Sequence, residues 1–136
     1  MACLDTTFLI DLGRRTGERR LRAQRKLKAL VESGERIVTT RFNVAELNVG
    51  IFRSENPDAE RRAVASLLAG IAVIEFDETA ALIFARLTAS LQGSGRPVGD
   101  MDVLVAATAL SANEPILVTR NPAHFADLRG LDVQAY

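Results

Sequence analysis

With 136 residues, 48% of them hydrophobic and 25% charged, the chain is long enough for one real core and too short for two, so residues 1–136 read as one domain. Its 17 basic and 17 acidic side chains cancel, so overall charge announces no nucleic-acid or membrane partner. The single Cys3 excludes an internal disulfide. With no apolar run of transmembrane length and no basic-then-apolar leader, it points to a cytoplasmic protein.

Taken in chain order, residues 2–5 read as a short buried strand and Phe8, Leu9 and Ile10 as a helical turn. Residues 18–33 carry Ala23, Leu27 and Leu30 on one helical face, and Gly34 ends that helix. Ile37 to Thr40 is β-branched and predicts a strand. A helix follows over 42–53. Asn56-Pro57-Asp58 caps the next, which ends near Gly70. Ile71 to Phe76 is an apolar strand, Glu78 to Leu91 a helix, and Gly93 to Pro97 a loop. Asp100 is placed as the cap of an alanine-rich helix through Leu110. Ile116 to Thr119 is a strand, and the tail near Val133 adds an edge strand. Strands alternating with helices, several of them continuously apolar, predict a three-layer α/β/α domain with a mostly parallel central sheet.

Ligands of such sheets bind beyond the carboxyl ends of the strands. Acids stand there: Asp5 after the first strand, Glu46 one turn into the helix after the second, and Asp102 in the first turn of the helix after the glycine-proline loop. Asn121 follows the strand ending at Thr119. Carboxylates sharing a crevice repel one another and resist desolvation, and a divalent cation relieves both. Oxygen donors without histidine or cysteine favour Mg²⁺ or Mn²⁺.

Each acid also has a plainer reading. The helix of Glu46 is apolar nearly all round, which predicts burial and a partner from elsewhere: a metal, or a distant arginine. Asp5 is either a helix cap or a ligand. Asp100 and Asp102 suit the first turn of a helix without any function. Asp11 reads as solvated, His124 as a surface histidine rather than a base, and Cys3 as a small buried hydrophobe.

Four stretches together resemble the PIN-domain family and, within it, the VapC-type toxins of bacterial toxin–antitoxin pairs, over essentially the whole chain. Leu4 to Asp11 is similar to the family's opening, with the first metal-binding aspartate at Asp5. Val44 to Gly50 resembles the segment of the second acid, Glu46. Gly99 to Ala109, where Asp102 precedes an aliphatic pair and Ala106-Ala107, is the most specific and places the third acid at Asp102. Leu117 to Phe125 resembles the last stretch, where many members carry a fourth acid. Thr7 stands where asparagine is common, and Asn121 where many members have aspartate.

The resemblance implies metal-dependent hydrolysis of RNA, with Asp5 and Asp102 as ligands of Mg²⁺ (Mn²⁺ as substitute). Glu46 would bind a second ion or handle the attacking water. Thr119, Asn121 and Asp100 would hold metal-bound water or coordinate weakly. It also implies an RNA substrate such as tRNA or rRNA, a cognate antitoxin and a homodimer. Residues 14–28 carry eight basic side chains against the single acid Glu18. Arg14, Arg15, Arg19 and Arg22 among them are candidates for meeting RNA or an acidic partner. Phosphoaspartyl proteins also gather acids at strand ends, but they need a lysine near the phosphate, and Lys26 and Lys28 both lie in this basic segment. A non-catalytic interaction module of the same fold, and an RNA-processing nuclease without an antitoxin, are the remaining alternatives.

Overall fold

The computed structural model describes residues 1–96, 98–113 and 116–136. Strands β1 (Ala2–Leu4), β2 (Ile37–Thr40), β3 (Ala72–Ile74), β4 (Ile116–Val118) and β5 (Asp132–Gln134) form one sheet in the order β3-β2-β1-β4-β5. All four of its ladders are parallel, with Cys3 opposite Val38 on one side and Leu117 on the other. Parallel pairing needs long crossovers, which the helices supply. They are α1 (Thr6–Leu12) with α2 (Glu18–Glu32), α3 (Arg41–Arg53) with α4 (Pro57–Leu68), and α5 (Glu78–Ser94) with α6 (Asp100–Ser111).

The two-residue alternation of the strands divides the core. Ala2, Leu4 and Val118 face one cluster, with Phe8 and Leu9 of α1, Ala23 and Leu30 of α2, Leu47 and Ile51 of α3 and Val64 of α4. Cys3, Val38 and Leu117 face the other, against Val103, Val105, Ala106 and Ala109 of α6, with Phe125 and Leu128. The strands are buried on both faces, the expected three layers. The order reverses at β1: one crossover leads to β2 and a later one returns to β4, so the crevice between the carboxyl ends of β1 and β4 is where a ligand of this fold belongs.

Three local expectations need correction. Helix α5 continues through Gly93 and Ser94 and stops at Gly95, whose φ of +67° suits glycine best; of the anticipated loop, Pro97 lies outside the described residues. The N-cap of α6 is Gly99, and Asp100 is the first helical residue and makes no capping bond. Helix α3 is not buried all round: Val44, Leu47 and Ile51 enter the core, while Val49 and Phe52 stay 53% and 79% exposed. The helix packs by one side against α1, α4, α6 and β2, and its apolar outer stripe stays largely exposed.

Candidate active site

Asp5 follows β1 and occupies the N-cap position of α1, yet its side chain caps no backbone N–H. The carboxylate turns instead into a cluster of donors. Oδ1 accepts from Asn43 Nδ2 at 3.1 Å, and Oδ2 from Thr119 Oγ1 at 2.8 Å and Thr7 Oγ1 at 3.1 Å. Its hydrogen-bond partners are all donors, which matches an acceptor-only carboxylate, and the side chain does not act as the helix cap.

Asn43 went unnoticed in the sequence although it is fully buried. Its backbone N–H and Oδ1 form a reciprocal capping box with Thr40 at the start of α3. That leaves its Nδ2 free to donate both to Asp5 and to Thr6 Oγ1, the latter at 3.0 Å. The Thr40-x-x-Asn43 spacing was the available signal. Thr6 then donates to Glu46 Oε1 at 2.7 Å, so Asn43 and Thr6 join the first two acids. Thr7 takes a similar place on the other side. It accepts from the Arg120 backbone N–H at 3.0 Å, beside a Thr119 hydroxyl that accepts from the Asn121 N–H at 3.1 Å.

Asp102 comes from the first turn of α6, with its Oδ2 3.7 Å from Nδ1 of the mostly exposed His124. Burial raises the Asp102 pKa above the ordinary carboxylate value; His124 pulls it down and the charge of Asp5 pushes it further up. Burial likewise raises Glu46; the Thr6 hydrogen bond opposes this, and repulsion from Asp5 and Asp102 adds to it. Electrostatics thus couples all three acids. Among the described residues none of them is ion-paired with a lysine or arginine.

The remaining candidates divide. Thr119 reaches Asp5, while Asn121 contributes a backbone N–H. Asp100 is exposed and lines a neighbouring apolar cavity instead of the one holding Asp102. Arg15 and Arg19 are exposed, and Arg22 pairs with Glu18 at 3.5 Å. Arg14 is held by Asp11, whose carboxylate is fully buried and not solvated as the sequence suggested. Asp11 also accepts from Arg120 Nη1 at 3.0 Å and from the Tyr136 hydroxyl at 2.6 Å. Burial opposes its charge, but the bonds from Tyr136 and Arg14 and the charges of Arg120 and Arg14 outweigh that and hold its pKa below the usual value. Cys3 is buried as expected, its thiol pushed up to about 12, first by desolvation and then by Asp5.

A donor set of oxygens, in which the charge of Asp5 pushes up the pKa of both Glu46 and Asp102 and no lysine or arginine pairs with the three among the described residues, fits a hard divalent cation. Among the described residues no three acids, histidines or cysteines are gathered into a ready metal cluster.

The PIN-domain family model matches residues 2–131. The ribonuclease VapC1 of Haemophilus influenzae is 30% identical over 131 residues, covering 96% of this chain and 94% of that one. The solved VapBC-1 of nontypeable Haemophilus influenzae matches with a TM-score of 0.81 at 29% identity over 98% of this chain and 96% of that one. VapBC-5 of Mycobacterium tuberculosis, a member of the VapBC family of toxin–antitoxin systems, matches with a TM-score of 0.66 at 28% identity over 98% and 95%. The chain belongs to the PIN-domain family and, within it, to the VapC-type ribonucleases.

Proposed function

We propose that the chain is a Mg²⁺-dependent endoribonuclease, with Mn²⁺ as substitute, acting as the toxin of a toxin–antitoxin pair. The observation that supports the metal-dependent reading is that Asp5, Glu46 and Asp102, from three separate places in the fold, repel one another and pair with no lysine or arginine among the described residues. Asp5 and Asp102 would hold the ion. When bound, it supplies a Lewis acid for a phosphoryl oxygen and lowers the pKa of a coordinated water. Glu46, its own pKa raised, would bind a second ion, orient the attacking water or accept its proton. Thr119 and Thr7 fix the rotamer of Asp5 through Oδ2, leaving Oδ1 to Asn43. Asn121 adds no charge, so the reading asks for one tightly held ion.

RNA would be drawn by the α2 side of the molecule. Arg15, Arg19 and Arg25 are exposed there, and no acid among the described residues pairs with them. Phosphate contacts of this kind supply most non-specific affinity. The solved relatives support an antitoxin as protein partner. The exposed Val49 and Phe52 of α3 are an apolar stripe of the sort a homodimer covers.

The test is cleavage of total RNA and tRNA by purified protein in Mg²⁺, Mn²⁺ or EDTA, beside Asp102→Asn. Fragments that need both metal and Asp102 are expected. Folded protein that leaves every RNA intact in either metal would overturn the reading in favour of an interaction module. Growth arrest on expression, relieved by a co-expressed antitoxin, is the expected biological outcome; harmless expression without any partner would remove the toxin role and leave the nuclease.

A further inference from the structure

The acidic crevice has a neighbour. A cavity of about 440 Å³ opens between α5 and the start of α6, walled by Leu91, Val98 and Val103 with Thr88, Gln92 and Arg96 around them. Its volume lies in the range of small-ligand sites. Two features join it to Asp102, the acid of the three that lines the adjoining polar cavity. Val98 lines both this cavity and a polar one of about 360 Å³ that contains Asp102 and His124. Arg96, of the apolar cavity, donates from Nη1 to Oδ1 of Asp127, of the polar one, at 3.1 Å. Asp102 and Val103 are consecutive in α6, so one helical turn serves both spaces.

The third feature is an unmade hydrogen bond. The hydroxyl oxygen of Thr88 is buried and has no hydrogen-bond partner among the described residues. Thr108, also inside a helix, donates to the Leu104 carbonyl one turn back at 2.7 Å. A buried hydroxyl without a partner costs stability. Threonine in a helix divides between two side-chain rotamers, so the Thr88 hydroxyl can turn to an occupant of the cavity that the residue lines.

Resting on the nuclease reading above, we infer that this cavity takes one unstacked nucleobase of the RNA, next to the scissile phosphate, and that Thr88 and Gln92 read its edge. Aliphatic walls suit the faces of a base, and the Arg96 guanidinium, oriented by Asp127, is a plane on which it stacks. The edge of a base needs donors and acceptors together, which a hydroxyl and a carboxamide both provide. Single-stranded RNA is read in this way, with bases splayed out, stacked and bonded along their edges. Phosphate does not fit the same space, because its walls are apolar and Asp100 lines it.

The test uses an RNA pool with randomised sequence, digested in Mg²⁺ or Mn²⁺ by the wild type, Thr88→Val, Thr88→Leu and Asp102→Asn, with the new ends sequenced. The wild type is expected to show a base bias at one position beside the cut. Thr88→Val should reduce that bias about tenfold, the worth of one neutral hydrogen bond. It should melt no lower than the wild type, since the orphaned hydroxyl is gone. Thr88→Leu, which extends into the cavity, should erase the bias. An identical bias in the wild type and both Thr88 variants, or no bias beside the cut in the wild type, overturns the base subsite while the nuclease stands. Absence of any cutting dependent on Asp102 overturns the nuclease reading and the subsite with it.

Discussion

Asn43 donates its side-chain N–H to Asp5 across 38 residues of sequence, and the same amide holds Thr6, the hydroxyl that bonds Glu46. A single buried carboxamide therefore sets the separation of two acids. Replacing it by alanine removes the side-chain half of the capping box, with both bonds from Thr40 to Oδ1, and the two bonds from Nδ2. Asn43→Ala should cost about 2–3 kcal/mol of stability, with reduced RNA cleavage at temperatures where the variant is still folded. Asn43→Asp keeps the shape but sets a fourth carboxylate against Asp5, and its cleavage should fall further than that of Asn43→Ala. Denaturant unfolding and initial cleavage rates read both.

The repulsion among the acids predicts opposite effects on stability and activity. Asp102→Asn removes a charge that burial and Asp5 disfavour, so it should melt at or above the wild-type temperature. Cleavage should nevertheless fall by about a hundredfold or more, the scale of a lost catalytic group. A variant that unfolded more easily would mean that Asp102 carries a structural bond instead.

A divalent ion bound by these acids stabilises the folded state by mass action. Titration with Mg²⁺ or Mn²⁺ should raise the melting temperature of the wild type progressively, and EDTA should reverse it. Asp5→Asn and Asp102→Asn should show little response. An equal rise in all three proteins would place the ion elsewhere.

The pH dependence has two windows of opposite sign. Glu46 and Asp102 have folded pKa values raised above 4.5 and 3.8. The native state therefore binds more protons than the unfolded chain just above those values, and stability falls as pH rises through the window. Asp11 is lowered from 3.8, so its contribution is present above that value and is lost as pH drops through its folded pKa. Without metal, Glu46→Gln should flatten the loss of stability on the near-neutral side of 4.5. Asp11→Asn should flatten the loss on acidification below 3.8. Thermal melts across pH 2–7 give both slopes (about these limits for carboxylates).

Asp11 itself is expected to matter for stability. Asp11→Ala leaves the Tyr136 hydroxyl and two guanidinium groups without their common acceptor. Since Arg14 and Arg120 are partly exposed and can turn to water, the loss should be about 2–3 kcal/mol, below the full cost of breaking a buried pair. Cleavage per folded molecule should fall only modestly, because the node reaches Asp5 indirectly, through Thr7, which both Arg120 and Tyr136 contact.

The parallel α/β architecture was legible because its strands are short apolar runs and its helices carry clear apolar faces or caps. The grouping of Asp5, Glu46 and Asp102 near the carboxyl ends of the strands was legible because the order of elements puts the starts of their helices there. Asp11 was not, because its partners Arg120 and Tyr136 lie 109 and 125 residues away and the local pattern shows only Arg14 nearby. Asn43 was hidden for a related reason: a polar residue in a first turn looks like surface, and only the fold reveals that it is buried. The exposed side of α3 escaped because apolar composition reports what a helix can bury, not what covers it.

The span of the crevice also constrains when it forms. Thr119 closes on Asp5 across 114 residues, and β4 is the central strand's partner on that side. Contacts so distant in sequence form late, after the entropy of closing the intervening loop has been met. A chain emerging from the ribosome can build β1, β2 and their helices early, with Thr7 and Asn43 already beside Asp5, yet the Thr119 donor arrives only when most of these residues have been made. The cluster of donors around Asp5 is therefore complete only once synthesis has passed β4.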